Sequence, residues 1–135
     1  MSIFYKLQVK EIRKETVDAV SVAFEIPEHL KKEFRFIPGQ YITIEAELQG
    51  SLLRRSYSIC SSPSEGELRV AIKEVDKGRF SHYANHELKI GSTLEVAAPE
   101  GRFVLETSPG NKKNYMAIAA GSGITPVISM IKAVL

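Results

Sequence analysis

Arg55 and Tyr57 are the residues whose types and spacing best suit chemistry. They lie two apart in the run Leu53-Arg54-Arg55-Ser56-Tyr57-Ser58-Ile59. On an extended chain, residues two apart share a face. A guanidinium fork can hold a phosphate, and a phenol ring can stack on a flat heterocycle. The pair therefore suits a dinucleotide-type cofactor. The plainer alternative makes Arg55 a solvated surface charge and Tyr57 an ordinary cross-strand aromatic, since arginines are mostly exposed. Arg54, on the opposite face, is read as solvent-facing.

Two glycine-bearing stretches add phosphate chemistry. Gly78-Arg79-Phe80-Ser81 opens a predicted helix. The first amides of a helix lack partners within it, and they sit at the positive end of its dipole. That suits an anion; a capped crossover helix without a ligand is the alternative. Gly121-Ser122-Gly123-Ile124-Thr125-Pro126 is a tight loop after the apolar run Tyr115-Met116-Ala117-Ile118-Ala119-Ala120. Thr125 is the expected N-cap and Pro126 the first helical residue. Pro126 stands where the usual dinucleotide fingerprint has its third glycine.

His82 and His86 are spaced i, i+4, which suits zinc, but no third ligand is evident from the sequence. Both are read as surface or cofactor-rim residues. Cys60, the sole cysteine, is read as a small buried apolar residue. It rules out an internal disulfide or a self-contained thiolate cluster.

The elements that must position these residues are mostly strands. Leu7 and Val9 alternate with polar neighbours, as do Val20, Val22, Phe24 and Ile26. Pro27 ends the second strand. Gln40 to Leu48 alternates again, and Gln49-Gly50-Ser51 reads as a hairpin turn. The arginine–tyrosine strand follows. Leu68, Val70 and Ile72 mark another strand, Thr93 to Ala97 another, and Phe103-Val104-Leu105 a short return. Phe80, Tyr83, Ala84 and Leu88 recur at helical spacing between Gly78 and Gly91. The expected fold is mainly β: a six-stranded antiparallel barrel with one capping helix. After the polar linker from Thr107 to Lys113 comes the first strand–loop–helix of an α/β nucleotide-binding unit. The expected domains are residues 1–108 and 114–135. A full unit needs on the order of 100 further residues, so the chain reads as a piece of a longer protein.

At 135 residues, with 44% hydrophobic and 25% charged, the composition is globular. A net charge of +2 gives no general case for a polyanion binder. No signal peptide is visible from Met1 to Lys6, and no stretch nears a membrane span, so a cytoplasmic setting is expected.

Arg55-Ser56-Tyr57-Ser58, Gly78-x-x-Ser81, Pro99-x-Gly101-x-Phe103 and Gly121-Ser122-Gly123-Ile124-Thr125-Pro126, in this order, resemble the ferredoxin–NADP reductase superfamily of flavoproteins. Within it, the chain is similar to the reductase components of bacterial multicomponent oxygenases and the reductase part of flavohaemoproteins. The resemblance implies FAD, in preference to FMN. Arg55 would bind its pyrophosphate, and Tyr57 would stack on the isoalloxazine. Ser58 would hydrogen-bond near N5, although strict alternation turns it away from Tyr57. Ile72, Lys73 and Glu74 would run beside the cofactor, offering mostly backbone groups. Gly78 and Ser81 would hold the pyrophosphate. Gly121, Gly123, Thr125 and Pro126 would begin the NAD(P)H site. Tyr57 and Ser58 are thus the residues placed nearest the chemistry. Hydride would pass from NAD(P)H to FAD, and electrons onward to an iron–sulfur or haem acceptor of an oxygenase system. A [2Fe-2S] cluster would lie in a further C-terminal region, if the protein has one. No metal, nucleic-acid or membrane partner is expected. A non-catalytic flavin- or ligand-binding regulatory barrel is the competing reading. A nucleic-acid-binding barrel is a third, disfavoured by the near-neutral charge.

Overall fold

The computed structural model describes residues 3–135. Met1 and Ser2, part of the N-terminal stretch searched for a signal peptide, lie outside the described residues. Six strands form: β1 (Phe4–Thr16), β2 (Ala19–Glu25), β3 (Tyr41–Leu48), β4 (Ser51–Ser58), β5 (Leu68–Lys73) and β6 (Thr93–Ala97). They make one sheet in the order β4-β3-β6-β1-β2-β5, with every neighbouring pair antiparallel. Their inward side chains fill one core, with Leu7, Val9, Val22, Ile42, Ile44, Val70, Ile72 and Val96 all buried. The alternation that predicted these strands is the physical cause of that face.

The two edges of the sheet are β4 and β5. They meet just beyond the end of β4, where Ile59 bridges Val70 and the Cys60 amide donates to the Arg69 carbonyl at 2.9 Å. That contact closes the sheet into a barrel. The β3–β4 hairpin turns through Gln49 and Gly50, at φ 52° and 76°. Positive φ at both positions matches the twist of the flanking strands.

Helix α1 (Arg79–His86) packs on β5, β2 and β3. Phe80 and Ala84 point into the core, as their spacing predicted, and Leu88 is buried just past the helix end. Asn85 Nδ2 donates to the Ile72 carbonyl at 3.1 Å, and Arg79 Nη2 to the Leu48 carbonyl at 2.8 Å. The helix is thereby tied to β5 and to the β3–β4 hairpin.

Three expectations need correction. Phe103-Val104-Leu105 is not a strand; one hydrogen bond, Leu105 amide to Pro38 carbonyl at 3.0 Å, holds it to the turn at Gly39. The apolar run from Tyr115 to Ala120 does not form a strand either. Among the described residues no strand pairs with it, and Met116 and Ile118 are 89% and 88% exposed. Helix α2 (Ile124–Val134) starts earlier than expected, with Gly123 at the N-cap. Thr125 therefore lies inside the first turn, where its hydroxyl donates to the Ser122 carbonyl at 3.1 Å. α2 docks on the barrel through Ser129, whose hydroxyl donates to the Ser61 carbonyl at 2.6 Å, and through Lys132 beside Glu65 at 3.2 Å.

One polar network strengthens the barrel wall. Arg69, only 4% exposed, donates to Ser21 Oγ at 2.7 Å and pairs with Glu11 and with Glu67, the latter at 3.2 Å. Arg69 holds the Glu11 carboxyl below the usual carboxylate range. Arg69→Ala should cost about 2 kcal/mol, because it removes the donor to Ser21 and Glu67 and leaves Glu11 with only the exposed Arg13, at 3.0 Å. Urea denaturation checks this; a change under about 0.5 kcal/mol would show the network to be no stronger than an exposed pair.

Candidate functional site: the seam between the sheet edges

The predicted residues of the barrel gather on one feature, the seam between β4 and β5. Arg55, Tyr57 and Ser58 lie on β4, and Ile72 and Lys73 on β5. Glu74 directly follows β5, and Gly78 and Ser81 lie at the start of α1. Continued from the Ile59–Val70 bridge, an antiparallel register sets Tyr57 across from Ile72 and Arg55 across from Glu74. The ladder does not continue there, since β4 and β5 remain the two ends of the sheet order. An unpaired edge presents backbone donors and acceptors to whatever lies against it.

The β3–β4 register fixes the faces. Arg55 pairs with Ile44 and Tyr57 with Ile42, both of which point into the core. Directly paired residues share a face. So Arg55 and Tyr57 share a face, as expected, and it is the inner face of an edge strand. Ser58, paired with Tyr41, alternates away from Tyr57.

The two neighbouring arginines differ in their engagements. Arg54 pairs with Glu45 at 2.5 Å and lies over the Phe4 ring at 5.0 Å. Arg55 is exposed, and its side chain's one hydrogen bond among the described residues is Nη1 to the Arg54 carbonyl at 2.7 Å. It keeps most of its donors.

Tyr57 is half-buried, with its ring 6.0 Å from that of Phe80. Burial pushes its phenol up to about 12, despite the opposing Arg55 charge. The group is neutral at any working pH. Above pH 10 the unfolded chain loses this proton while the folded one keeps it. Stability therefore falls as pH rises from about 10 to 12. Tyr57→Phe should flatten that part of a stability-against-pH curve, and an unchanged slope would contradict the phenol's burial.

The turn before α1 is tightly built. A Cβ on Gly78 would collide with Val75 Cγ2 and meet Ser81 Oγ at 2.5 Å, so a side chain there would have to displace both. The Ser81 hydroxyl accepts from the Val75 amide and donates to the Gly78 carbonyl, both at 3.1 Å. It pins the turn that presents the first helix amides. A groove of about 490 Å³ adjoins this turn, lined in part by Leu48, Val75, Gly78, Arg79 and Tyr83.

Gly121, Gly123, Thr125 and Pro126 lie outside the barrel strands, in a single 3-10 turn (Gly121–Gly123) and the start of α2. Gly121 has φ 58°, a left-handed value that glycine tolerates. Cys60 is buried, its thiol pushed up by that burial, as a structural cysteine should be. Glu74 gains partners that the sequence did not reveal: His82 Nδ1 and His86 Nε2 each lie 2.7 Å from one of its oxygens. Those contacts, that with His86 foremost, hold its carboxyl below the usual range. No helix among the described residues is long and apolar enough to cross a membrane.

Residues 6–105 match the oxidoreductase FAD-binding domain, and the chain belongs to that family. It is 45% identical over 131 residues to one of the subunits of 1,2-phenylacetyl-CoA epoxidase from Escherichia coli K12, covering 97% of this chain and 37% of that protein. It is 36% identical over 132 residues to the ferredoxin reductase component of 3-ketosteroid-9-alpha-monooxygenase from Rhodococcus rhodochrous, covering 96% and 36%. The chain thus spans little more than a third of these relatives. Among solved structures, phthalate dioxygenase reductase superposes with a TM-score of 0.76 at 28% identity, covering 96% of this chain and 39% of that one. Flavohemoglobin from Malassezia yamatoensis, with bound FAD and heme, gives 0.79 at 28% identity, covering 96% and 33%.

Proposed function

We propose that residues 1–108 bind FAD along the β4–β5 seam, and that residues 114–135 begin an NAD(P)H-binding unit. The observation that carries this reading is that Arg55 and Tyr57 on one edge strand, Ile72 on the other and Gly78 at the start of α1 all flank the seam between the two sheet edges. The residues fit the group. Arg55 has free donors for a pyrophosphate, and the α1 amides lie beyond a tight turn at Gly78, where a Cβ would press on Val75 and Ser81. The adjoining groove has room for part of the nucleotide end. Tyr57, neutral and backed by Phe80, offers a ring for stacking. Ser58 reaches N5 through its backbone or a bend at the strand end. Ile72, Lys73 and Glu74 line the cofactor with backbone groups, and Ser81 acts by holding the turn. Gly121, Gly123, Thr125 and Pro126 form the near side of the nicotinamide site. FAD is preferred to FMN.

Bound flavin supplies the conversion of a two-electron hydride donor into single electrons. The whole protein is then an NAD(P)H-dependent electron-transfer oxidoreductase, serving an iron–sulfur or haem acceptor. The relatives favour an oxygenase system, and the first of them favours phenylacetyl-CoA epoxidation. Flavin-loaded chain mixed anaerobically with micromolar NADH should stay oxidised, whereas dithionite should bleach it. Reduction by NADH within seconds would overturn the assignment of only a partial nicotinamide site to residues 114–135. Failure to bind flavin would overturn the whole reading.

A further inference from the structure

His82 and His86 stand one turn apart on the exposed side of α1, their ring centroids 4.4 Å apart. The turn after β5 brings Glu74 against both. One ligand atom from each of the three residues lies within 4.8 Å of the others. We propose that Glu74, His82 and His86 form a binding site for a divalent ion of the zinc class.

The chemistry of the donor set supports this. Two imidazoles and one carboxylate are a recognised zinc-type set, and three protein ligands leave a fourth position for water. Imidazole favours zinc, copper or nickel, whereas magnesium and calcium favour oxygen ligands alone. The distances are compatible. Donors at about 2.0–2.2 Å from a tetrahedral ion sit roughly 3.3–3.5 Å from one another. The present His–Glu contacts are 2.7 Å and no two of the ligand atoms are more than 4.8 Å apart, so shifts of roughly 1–1.5 Å, outward at Glu74 and inward between the histidines, reach that geometry. The side chains of His82, His86 and Glu74 are 60%, 49% and 27% exposed, which leaves them that freedom.

The backbone beneath the site is held from both sides. Asn85 ties α1 to Ile72 at 3.1 Å, and the Glu74 amide donates to the Asp18 carbonyl at 2.7 Å. A bound ion would add a clamp across the turn from Val75 to Gly78. The site is independent of the flavin reading: it uses the Glu74 side chain, whereas that reading uses only the Glu74 backbone.

The test is a zinc titration of the purified protein in competition with a chromophoric chelator. It should give one site per chain with micromolar affinity. His82→Ala and His86→Ala should each weaken it by about tenfold or more. His82→Cys should retain binding, since a thiolate also ligates zinc. Cobalt(II) should give the visible absorption of a tetrahedral site, lost in the double alanine variant. Excess magnesium should not compete. Both histidines are exposed, and circular dichroism checks that the variants stay folded. Absence of stoichiometric zinc binding, or equal affinity in the double alanine variant, would overturn the proposal.

Discussion

Arg55→Ala should weaken FAD binding about 100-fold and leave the stability of the protein unchanged within about 0.5 kcal/mol. The two halves of this result have separate causes. Arg55 is exposed, and its side chain makes one hydrogen bond among the described residues, to the carbonyl of its own neighbour. The fold loses little when it goes. A pyrophosphate would lose a charged, forked donor, and one or two such hydrogen bonds are worth about 1.5–3 kcal/mol each. Arg54→Ala serves as the control. Its guanidinium is occupied by Glu45 and the Phe4 ring, so flavin affinity should change less than about threefold. Fluorescence quenching of FAD measures both. Equal losses in the two variants would mean that general charge, not the position of Arg55, attracts the cofactor.

Phe80→Ala should cost about 3–5 kcal/mol of stability, the range for a large aromatic removed from a core. Phe80 is 1% exposed and lies between Tyr57 and Tyr83, at centroid distances of 6.0 and 6.2 Å. The same ring fills the core under α1 and backs the expected stacking residue. The variant should therefore lose flavin affinity as well, through a loosened Tyr57. Phe80→Leu keeps much of the volume and should recover more than half of the stability, but less of the flavin affinity. Urea unfolding at fixed pH gives the first quantity and a flavin titration the second. A cost below about 1.5 kcal/mol would show that α1 is not anchored by this ring.

The strands were legible because each has one face in the core, and a period of two is written directly into residue type. Val20, Val22 and Phe24 show this, as do Ile42 and Ile44. Phe103-Val104-Leu105 and the run from Tyr115 to Ala120 are equally apolar, yet neither forms a strand. A strand requires a partner edge, and residue type does not reveal whether one is at hand. The helix start at Gly123 was missed because Thr125 and Pro126 are such strong first-turn residues that they drew the boundary two positions downstream.

The candidate site was legible in part. The spacing of Arg55 and Tyr57 gave their common face. That both lie at an open seam depends on the sheet order, which joins β5 to β2 and β4 to β3 and leaves the two edges facing. The pair of histidines was visible from its i, i+4 spacing. Its third member, Glu74, was not, because it reaches them only when the end of β5 lies beside α1. Arg69 was hidden for a similar reason. Alternation turns it away from the barrel core, but Glu11, Ser21 and Glu67 cover it there.

The central claim is that the β4–β5 seam holds FAD. The most direct measurement is the visible absorption spectrum of the purified chain after incubation with FAD and removal of the excess by gel filtration. The account predicts flavin absorption that travels with the protein at close to one per chain and is lost in Arg55→Ala. A folded protein that emerges colourless, or one that retains flavin equally well without Arg55, would contradict it.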